Sequence, residues 1–217
     1  MKIAVLADIH ANYQALLAVN EAIEKWKPDY IYVAGDIVNR GPRSLDCLRY
    51  VQDKQQTAGW RVIRGNHEDY VIARSEPDAP QNGPQFELFR PVEFTYRQLN
   101  NDVSDLTALP EELSMRFQEG GEFRVVHASM LGNRIGIYPE LDDAGLRKRI
   151  IPAPAVLVVG HTHRPLIRQI DETLVVNVGA AGLPFDHDTR PGYGQLRLMN
   201  GKWEAEIVRI HYDIEAA

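Results

Sequence analysis

The sequence has a single cysteine, no long apolar run and fewer basic than acidic residues. Cys47 is the one cysteine in 217 residues, so an intramolecular disulfide is excluded. The opening apolar stretch, residues 3–7, is much shorter than the roughly 20 residues that cross a bilayer, and polar residues follow it directly. We therefore predict a cytoplasmic protein without a signal peptide or a transmembrane segment.

The charge balance is acidic, with 24 basic and 30 acidic side chains and a net charge of −6. This balance argues against a broad positive surface for nucleic acid, although a small nucleotide phosphodiester remains a possible substrate. The hydrophobic content of 44% is enough for the core of one domain spanning residues 1–217. Neither the oligomeric state nor the natural substrate follows from the sequence.

Polar clusters follow five apolar, β-prone runs of the chain. The runs are residues 2–7, 30–34, 61–63, 122–126 and 156–159. The clusters that follow them are Asp8 and His10, Asp36, Asn66 with His67, His127, and His161 with His163. Because the carboxyl ends of strands in an α/β sheet share one edge, we expect these clusters to converge on one site.

The spacing within the clusters suits metal binding. Residues two apart in an extended segment point to the same face about 7 Å apart, so Asp8 and His10 can reach one ion together, as can His161 and His163. A single histidine after a strand, such as His127, more often satisfies a neighbouring polar group than binds a metal. The indication of a metal site therefore rests on the whole set.

The order of these motifs resembles the calcineurin-like metallophosphoesterase superfamily, including its bacterial and archaeal phosphodiesterase-like branch. The resemblance extends from residue 2 to about residue 199. It implies an α/β fold of two packed mixed β-sheets flanked by helices, a four-layer αββα sandwich. It also implies a dinuclear phosphodiesterase or phosphatase in which a metal-bridging hydroxide attacks phosphorus in line.

The same resemblance assigns roles to individual residues. One ion would be held by Asp8, His10, Asp36 and His163, and the other by Asp36, Asn66, His127 and His161. His67 would donate a proton to the leaving group, and Asp36 would bridge the ions. Imidazole-rich ligation favours divalent transition metals, manganese first with iron, zinc or nickel as alternatives. With a bridging hydroxide the site would carry about +1 and attract phosphate.

One departure concerns residues 35–41, which resemble the protein-phosphatase and dinucleoside-polyphosphatase branches. Those branches usually have an aspartate where this chain has Asn39, which can orient His67 but cannot raise its pKa as a carboxylate does. We therefore expect His67 to help most with leaving groups that need little protonation. Arg40 and Asn39 are predicted to contact the substrate, whereas Arg43 and Arg164 are expected to form structural ion pairs or face solvent.

Three functions remain open. The first is a metal-dependent phosphodiesterase or phosphatase acting on a small or nucleotide-like phosphoester. The second is a protein serine/threonine phosphatase or a dinucleoside-polyphosphate hydrolase, against which Asn39 argues. The third is a catalytically silent interaction scaffold on the same fold. A decayed scaffold would be expected to lose ligands, yet all are present.

The order of elements is predicted as βαβαβ followed by a helical insertion at about 69–109. Residues 75–84 have a loop composition, and the aromatic residues after them recur at helical spacing. The insertion could form a lid over the site or a helical pair packed on the sheet edge, and we favour the packed pair. The closely spaced strands after residue 156 suggest a second, more antiparallel sheet.

Overall fold

The chain folds into four layers, which confirms the predicted architecture of two mixed sheets flanked by helices. The computed structural model describes residues 1–216, apart from the side chain of Leu88, and residue 217 of the predicted domain lies outside it. The strands are β1 Lys2–Leu6, β2 Tyr30–Ala34, β3 Arg61–Ile63, β4 Glu112–Phe117, β5 Gly121–Val126, β6 Val156–Val159, β7 Leu166–Ile170, β8 Thr173–Asn177, β9 Gly192–Met199 and β10 Lys202–Arg209. The helices are α1 Tyr13–Trp26, α2 Ser44–Ala58, α3 Asn66–Arg74, α4 Gly83–Leu88, α5 Arg90–Gln98, α6 Ser104–Thr107 and α7 Asp143–Ile150. Within residues 1–216, every helix is too short or too polar to cross a bilayer.

Both sheets contain five strands and mix parallel with antiparallel pairs. Their orders are β10-β9-β1-β2-β3 and β4-β5-β6-β8-β7. Each sheet has two parallel and two antiparallel pairings. The predicted second sheet is present, but the prediction that it is more antiparallel is wrong. The strands β9 and β10 return to the first sheet, where β9 pairs with β1. Alternating apolar residues predict a strand but do not specify the edge to which it adds.

The core lies on both faces of the first sheet. Ile3 and Val5 face the second sheet, where Val158 belongs to the same apolar cluster, while Ala4 and Leu6 face the helices. This alternation follows from the two-residue period of a strand, and burial on both faces explains why β1 is apolar throughout. The loops that leave β1, β2, β3, β5 and β6 at their carboxyl ends meet at one edge, which we call the rim.

Cys47 lies in the core. It is fully buried on the inner face of α2, together with Leu48 and Val51. Burial raises the pKa of its thiol to about 12, so a thiolate does not form near neutral pH. This environment gives Cys47 no role as a nucleophile.

Candidate metal centre

The rim loops hold the candidate ligands in left-handed backbone conformations. The φ angles are +54° at Asp8, +47° at His10, +55° at Asp36, +67° at His161 and +57° at His163. Positive φ is uncommon outside glycine, and aspartate, asparagine and histidine tolerate it best among the other residues. Backbone strain is therefore concentrated in the loops where the sequence predicts the metal ligands.

The structure gathers the first predicted ligand set. Ligand atoms of Asp8, His10, Asp36 and His163 all lie within 4.8 Å of one another, and all four residues are buried. His163 Nε2 is 3.2 Å from Asp8 Oδ1, and His10 Nε2 is 3.5 Å from Asp36 Oδ2. Four side chains from three separate rim loops thus point their ligand atoms at one position.

The second predicted set also converges, and it shares Asp36 with the first. The Asn66 oxygen Oδ1 lies 2.9 Å from His127 Nε2 and 2.7 Å from His161 Nδ1. His127 Nε2 is in turn 3.3 Å from Asp36 Oδ2. Asp36 therefore stands between two clusters of donor side chains, as a bridging carboxylate must.

Backbone carbonyls fix the ring orientation of two of these histidines. The Nδ1–H of His127 donates to the oxygen of Ala34 at 2.8 Å, and that of His163 donates to the oxygen of Leu183 at 2.5 Å. A carbonyl can only accept, so Nδ1 of each ring carries a proton and Nε2 faces the site. The neutral ring in this orientation is the tautomer that a metal-binding imidazole needs.

Several polar atoms lack the partner that a cation would provide. Asp8 Oδ1 is buried and accepts no hydrogen bond from any described residue. The Nε2 atoms of His10 and His163 are only 3.1 Å apart. Burial lowers the pKa of His10 to about 3, despite Asp36 and Asp8, so its ring is neutral near pH 7. A carboxylate oxygen and two imidazole nitrogens in one buried position fit a divalent transition metal ion.

Asp36 and His127 polarise each other in the chain alone. Although burial opposes ionisation, His127 and His10 hold the pKa of the Asp36 carboxyl well below its usual range. Burial likewise opposes charge on His127, but Asp36 raises its pKa to about 10. In the chain alone, the His127 imidazolium therefore supplies the positive charge that balances the Asp36 carboxylate.

Glu68 directly follows Asn66 and His67, but the sequence analysis assigned it no role. Its carboxylate accepts four backbone N–H groups, from Gly65 at 2.7 Å, Asp36 at 2.8 Å, Ile37 at 2.8 Å and Val38 at 3.1 Å. Burial and the Asp36 charge raise its pKa to about 7 against these donors. Glu68 thus clasps the Asp36 turn to the start of α3. The signal was a glutamate at the third helical position, typical of a capping box.

Two glycines permit the close approach of the rim loops. A Cβ at Gly65 would run into Asp36 Oδ1, and a Cβ at Gly160 would run into Asp8 Oδ2. The absence of a side chain lets both carboxylates accept backbone hydrogen bonds. His67 N–H donates to Asp36 Oδ1 at 2.8 Å, and His161 N–H donates to Asp8 Oδ2 at 2.8 Å. Both carboxylates are therefore fixed before any ion binds.

The predicted proton donor, His67, sits between Asn39 and Arg40. Asn39 Oδ1 accepts the backbone N–H of Arg40 at 2.9 Å, so its NH₂ group faces His67 Nδ1, 2.8 Å away. Arg40 Nε lies 3.1 Å from His67 Nε2. Burial lowers the pKa of His67 to about 4, and Arg40 adds to the effect while Asp36 opposes it. His67 is thus held as a neutral ring.

The remaining arginines of the prediction are engaged elsewhere. Arg43 donates to Asp46 at 2.7 Å and stacks over the Tyr13 ring at 4.4 Å. Arg164 pairs with Glu140 through both guanidinium nitrogens. These ion pairs agree with the structural role expected for the two arginines, and they leave Arg40 as the arginine in contact with the proposed catalytic histidine.

Three comparisons relate this chain to known proteins. The sequence model of the calcineurin-like phosphoesterase superfamily domain matches residues 1–201. A metallophosphoesterase from Sphaerobacter thermophilus superposes with a TM-score of 0.76 at 25% identity, covering 100% of this chain and 91% of that chain. A hypothetical protein from Pyrococcus horikoshii has the same fold, with a TM-score of 0.84 at 22% identity over 99% of this chain and 90% of its own.

A curated relative matches a shorter segment. A symmetrical bis(5′-nucleosyl)-tetraphosphatase from Chromohalobacter salexigens is 41% identical over 75 residues. That segment is 35% of this chain and 26% of the relative, so the alignment spans about a quarter of the relative's length.

Proposed function

Because this chain belongs to the calcineurin-like phosphoesterase superfamily, we propose that it is a dinuclear metal-dependent hydrolase of small or nucleotide-like phosphoesters. The observation that carries the proposal is the double use of Asp36, whose carboxylate adjoins two buried groups of donor side chains. Four imidazoles with two carboxylates and one amide suit manganese, iron, zinc or nickel. Such ions, when bound, would supply positive charge and an activated water for in-line displacement at phosphorus.

The chain's own side chains would hold and charge the site. The proposed ligands of one ion are Asp8, His10, Asp36 and His163, and those of the other are Asp36, Asn66, His127 and His161. Only two of these side chains carry a negative charge, so two divalent ions would leave the site positive. A phosphate would be drawn to the rim even though the whole chain carries −6.

Arg40 and His67 would act on opposite ends of the breaking bond. A neutral imidazole has one N–H and one lone pair, and the Asn39 NH₂ group already uses the lone pair at Nδ1. The Nε2 atom therefore carries the proton, and Arg40 cannot keep donating to it. We propose that Arg40 turns to the substrate phosphate when it binds, which leaves the His67 Nε2–H to hydrogen-bond the leaving oxygen. Full proton transfer to that oxygen requires the imidazolium form of His67.

Hydrolysis of a dinucleoside polyphosphate is a second candidate. The identity of 41% over 75 residues with a bis(5′-nucleosyl)-tetraphosphatase favours it. Asn39 weighs against both this activity and protein phosphatase activity, because those branches of the superfamily usually pair the histidine with an aspartate. A silent scaffold is disfavoured because all seven ligand side chains of the resembling pattern are present and buried or half-buried at the rim.

The proposal is tested by adding manganese, nickel, zinc or magnesium to metal-stripped protein and measuring hydrolysis of p-nitrophenyl phosphate and bis(p-nitrophenyl) phosphate. We expect turnover with a transition metal and little with magnesium. Preference for the diester would identify a phosphodiesterase, and preference for the monoester a phosphatase. Absence of turnover with all four metals would reject the enzyme and support the scaffold.

Two variants connect that turnover to the rim. Asp36→Asn keeps the oxygen that accepts the His67 N–H but removes the shared charge, and we expect kcat/KM to fall roughly a thousandfold or more. Asp171→Asn is the matched control, because Asp171 is exposed and pairs only with Arg147. His67→Ala should lower kcat, and unchanged kcat for good and poor leaving groups alike would remove its proposed role.

A further inference from the structure

An aromatic cavity opens beside the rim, within the helical insertion. It encloses about 240 Å³, and its walls are mostly apolar. Its lining includes Tyr70, Arg74, Phe86, Phe89, Val92 and Arg134. No described residue of the proposed metal centre lines it, so its shape is not explained by the ligand set.

One wall of the cavity is a direct continuation of the metal centre. Helix α3 begins with Asn66 and His67 and reaches Tyr70 four residues after Asn66, about 6 Å along the axis on the same face. The Tyr70 and His67 rings are in edge contact, with centroids 5.2 Å apart. A group attached to a phosphate at the rim could therefore enter the cavity across His67.

A second part of the cavity wall is also tied to the rim. Arg134 lies in the loop after β5, the strand that presents His127, and its guanidinium stacks over the Tyr70 ring at 4.9 Å. Two residues later, a Cβ at Gly136 would lie 2.8 Å from His161 Cδ2, so this loop packs directly on a proposed ligand. Both walls thus take their positions from the metal centre.

The third wall is braced by an ion pair. Arg74 Nε donates to Glu93 at 2.5 Å, which clamps the end of α3 to α5. Val92 is buried on α5, whereas the Phe89 side chain is 45% exposed at the cavity and its ring lies 6.3 Å from that of Tyr70. An apolar ring left open to solvent beside a braced wall is a surface that a ligand can cover.

We propose that this cavity binds the planar base of a nucleoside phosphate whose phosphoester group lies at the metal centre. The inference rests on the proposed function and adds its substrate class. Flat aromatic faces and a guanidinium plane stack on a base in a sequence-tolerant way, whereas an acyl chain gains nothing from the cation. Arginine only donates hydrogen bonds, so the nitrogen and carbonyl acceptors at the edge of a base match Arg134.

The experiment compares substrates that differ only in the base. Adenosine 5′-monophosphate and ribose 5-phosphate are supplied to the manganese-loaded protein, each as the free monoester and as the methyl diester, and products are separated by chromatography. We expect kcat/KM to favour the adenosine compound by roughly tenfold or more. Phe89→Ala should reduce that ratio several-fold. Phe94→Ala, which truncates another exposed aromatic side chain outside the cavity, should preserve it.

A second measurement does not depend on catalysis. Binding of adenosine and of ribose to the metal-free protein is followed by saturation-transfer NMR, with Phe89→Ala and Phe94→Ala in parallel. Transfer to adenosine alone, weakened by Phe89→Ala only, supports the cavity as a base site even if no ester is cleaved. Equal kcat/KM for the adenosine and ribose compounds, or a saturation-transfer signal insensitive to Phe89→Ala, would overturn the inference. Neither result would contradict the proposed hydrolase.

Discussion

The rim and the helical insertion lie side by side but are built in different ways. At the rim, Asp8 and His127 have no exposed surface, and left-handed turns and backbone hydrogen bonds fix the ligand side chains. In the insertion, Phe89 and Phe94 are 45% and 52% exposed, and an ion pair from Arg74 holds two helices together.

This difference separates reactivity from selectivity. A metal centre requires positions accurate to a fraction of an ångström, and backbone groups accordingly hold Asp8, Asp36, His127 and His163 by hydrogen bonds. A substrate pocket can tolerate graded change, because apolar contact and stacking vary smoothly with the side chain that supplies them. Substitutions at the rim should therefore damage stability and metal binding together, whereas substitutions in the insertion should change either selectivity or stability by small amounts.

Glu68→Gln gives the largest effect expected on stability and tests the rim side of the comparison. A glutamine has one acceptor oxygen, and its NH₂ group would face backbone donors that the second carboxylate oxygen now accepts. At about pH 8, above the pKa of Glu68, we expect the free energy of unfolding to fall by about 3 kcal/mol, because buried N–H groups lose an ionised acceptor. Urea unfolding followed by circular dichroism measures this loss, and manganese titration should show weaker binding as well.

The control for Glu68→Gln is Glu140→Gln. Glu140 pairs with Arg164 at the surface and contacts no proposed ligand, so its unfolding midpoint should match the wild type. If both variants unfolded at the same urea concentration as the parent, the hydrogen bonds to Glu68 would not stabilise the Asp36 turn. The contrast between rim and insertion would then fail.

Asn39→Asp gives an intermediate effect, at the junction of the two regions. The present donors to Asn39 Oδ1 are the Arg40 N–H at 2.9 Å and the Thr95 hydroxyl of α5 at 3.4 Å, both of which a carboxylate accepts equally well. Its second oxygen would accept from His67 Nδ1–H in place of the amide that now donates to it. The pKa of His67, now about 4, should rise because the carboxylate favours the imidazolium.

The sign of the pH effect follows from this rise. A proton donor acts only while it is protonated, so the His67-dependent part of kcat is lost as the pH rises through its pKa. In Asn39→Asp that loss should move to higher pH, and kcat near neutral pH should increase roughly tenfold for an alkyl leaving group. A p-nitrophenyl ester, which needs little protonation, serves as the internal control. An unshifted profile for the alkyl ester would contradict the assignment of His67.

The sequence predicted the strands and the convergence of polar clusters, because both follow from local patterns. Asp8 and His161 come directly after apolar runs, and strand ends meet at one edge whatever the rest of the chain does. The partner of β9 could not be predicted, since its apolar pattern fits either sheet. The cavity could not be predicted either, because Tyr70 and Arg134 are far apart in sequence and come together only through tertiary contacts such as the Asn133–Asp69 hydrogen bond.

Glu93→Gln gives the smallest effect and tests the insertion. Although burial opposes it, hydrogen bonds from Arg74 and Arg97 hold the pKa of Glu93 below its usual value, so its stabilising contribution is present at neutral pH and is lost as the pH falls through that lowered pKa. We expect a loss below about 1 kcal/mol at pH 7 that shrinks in acid and in high salt. Glu87→Gln, which removes the exposed partner of Arg90, is the control. Manganese affinity should be unchanged in both variants, and a Glu93→Gln protein with weakened manganese binding would show that the insertion and the rim are one cooperative unit.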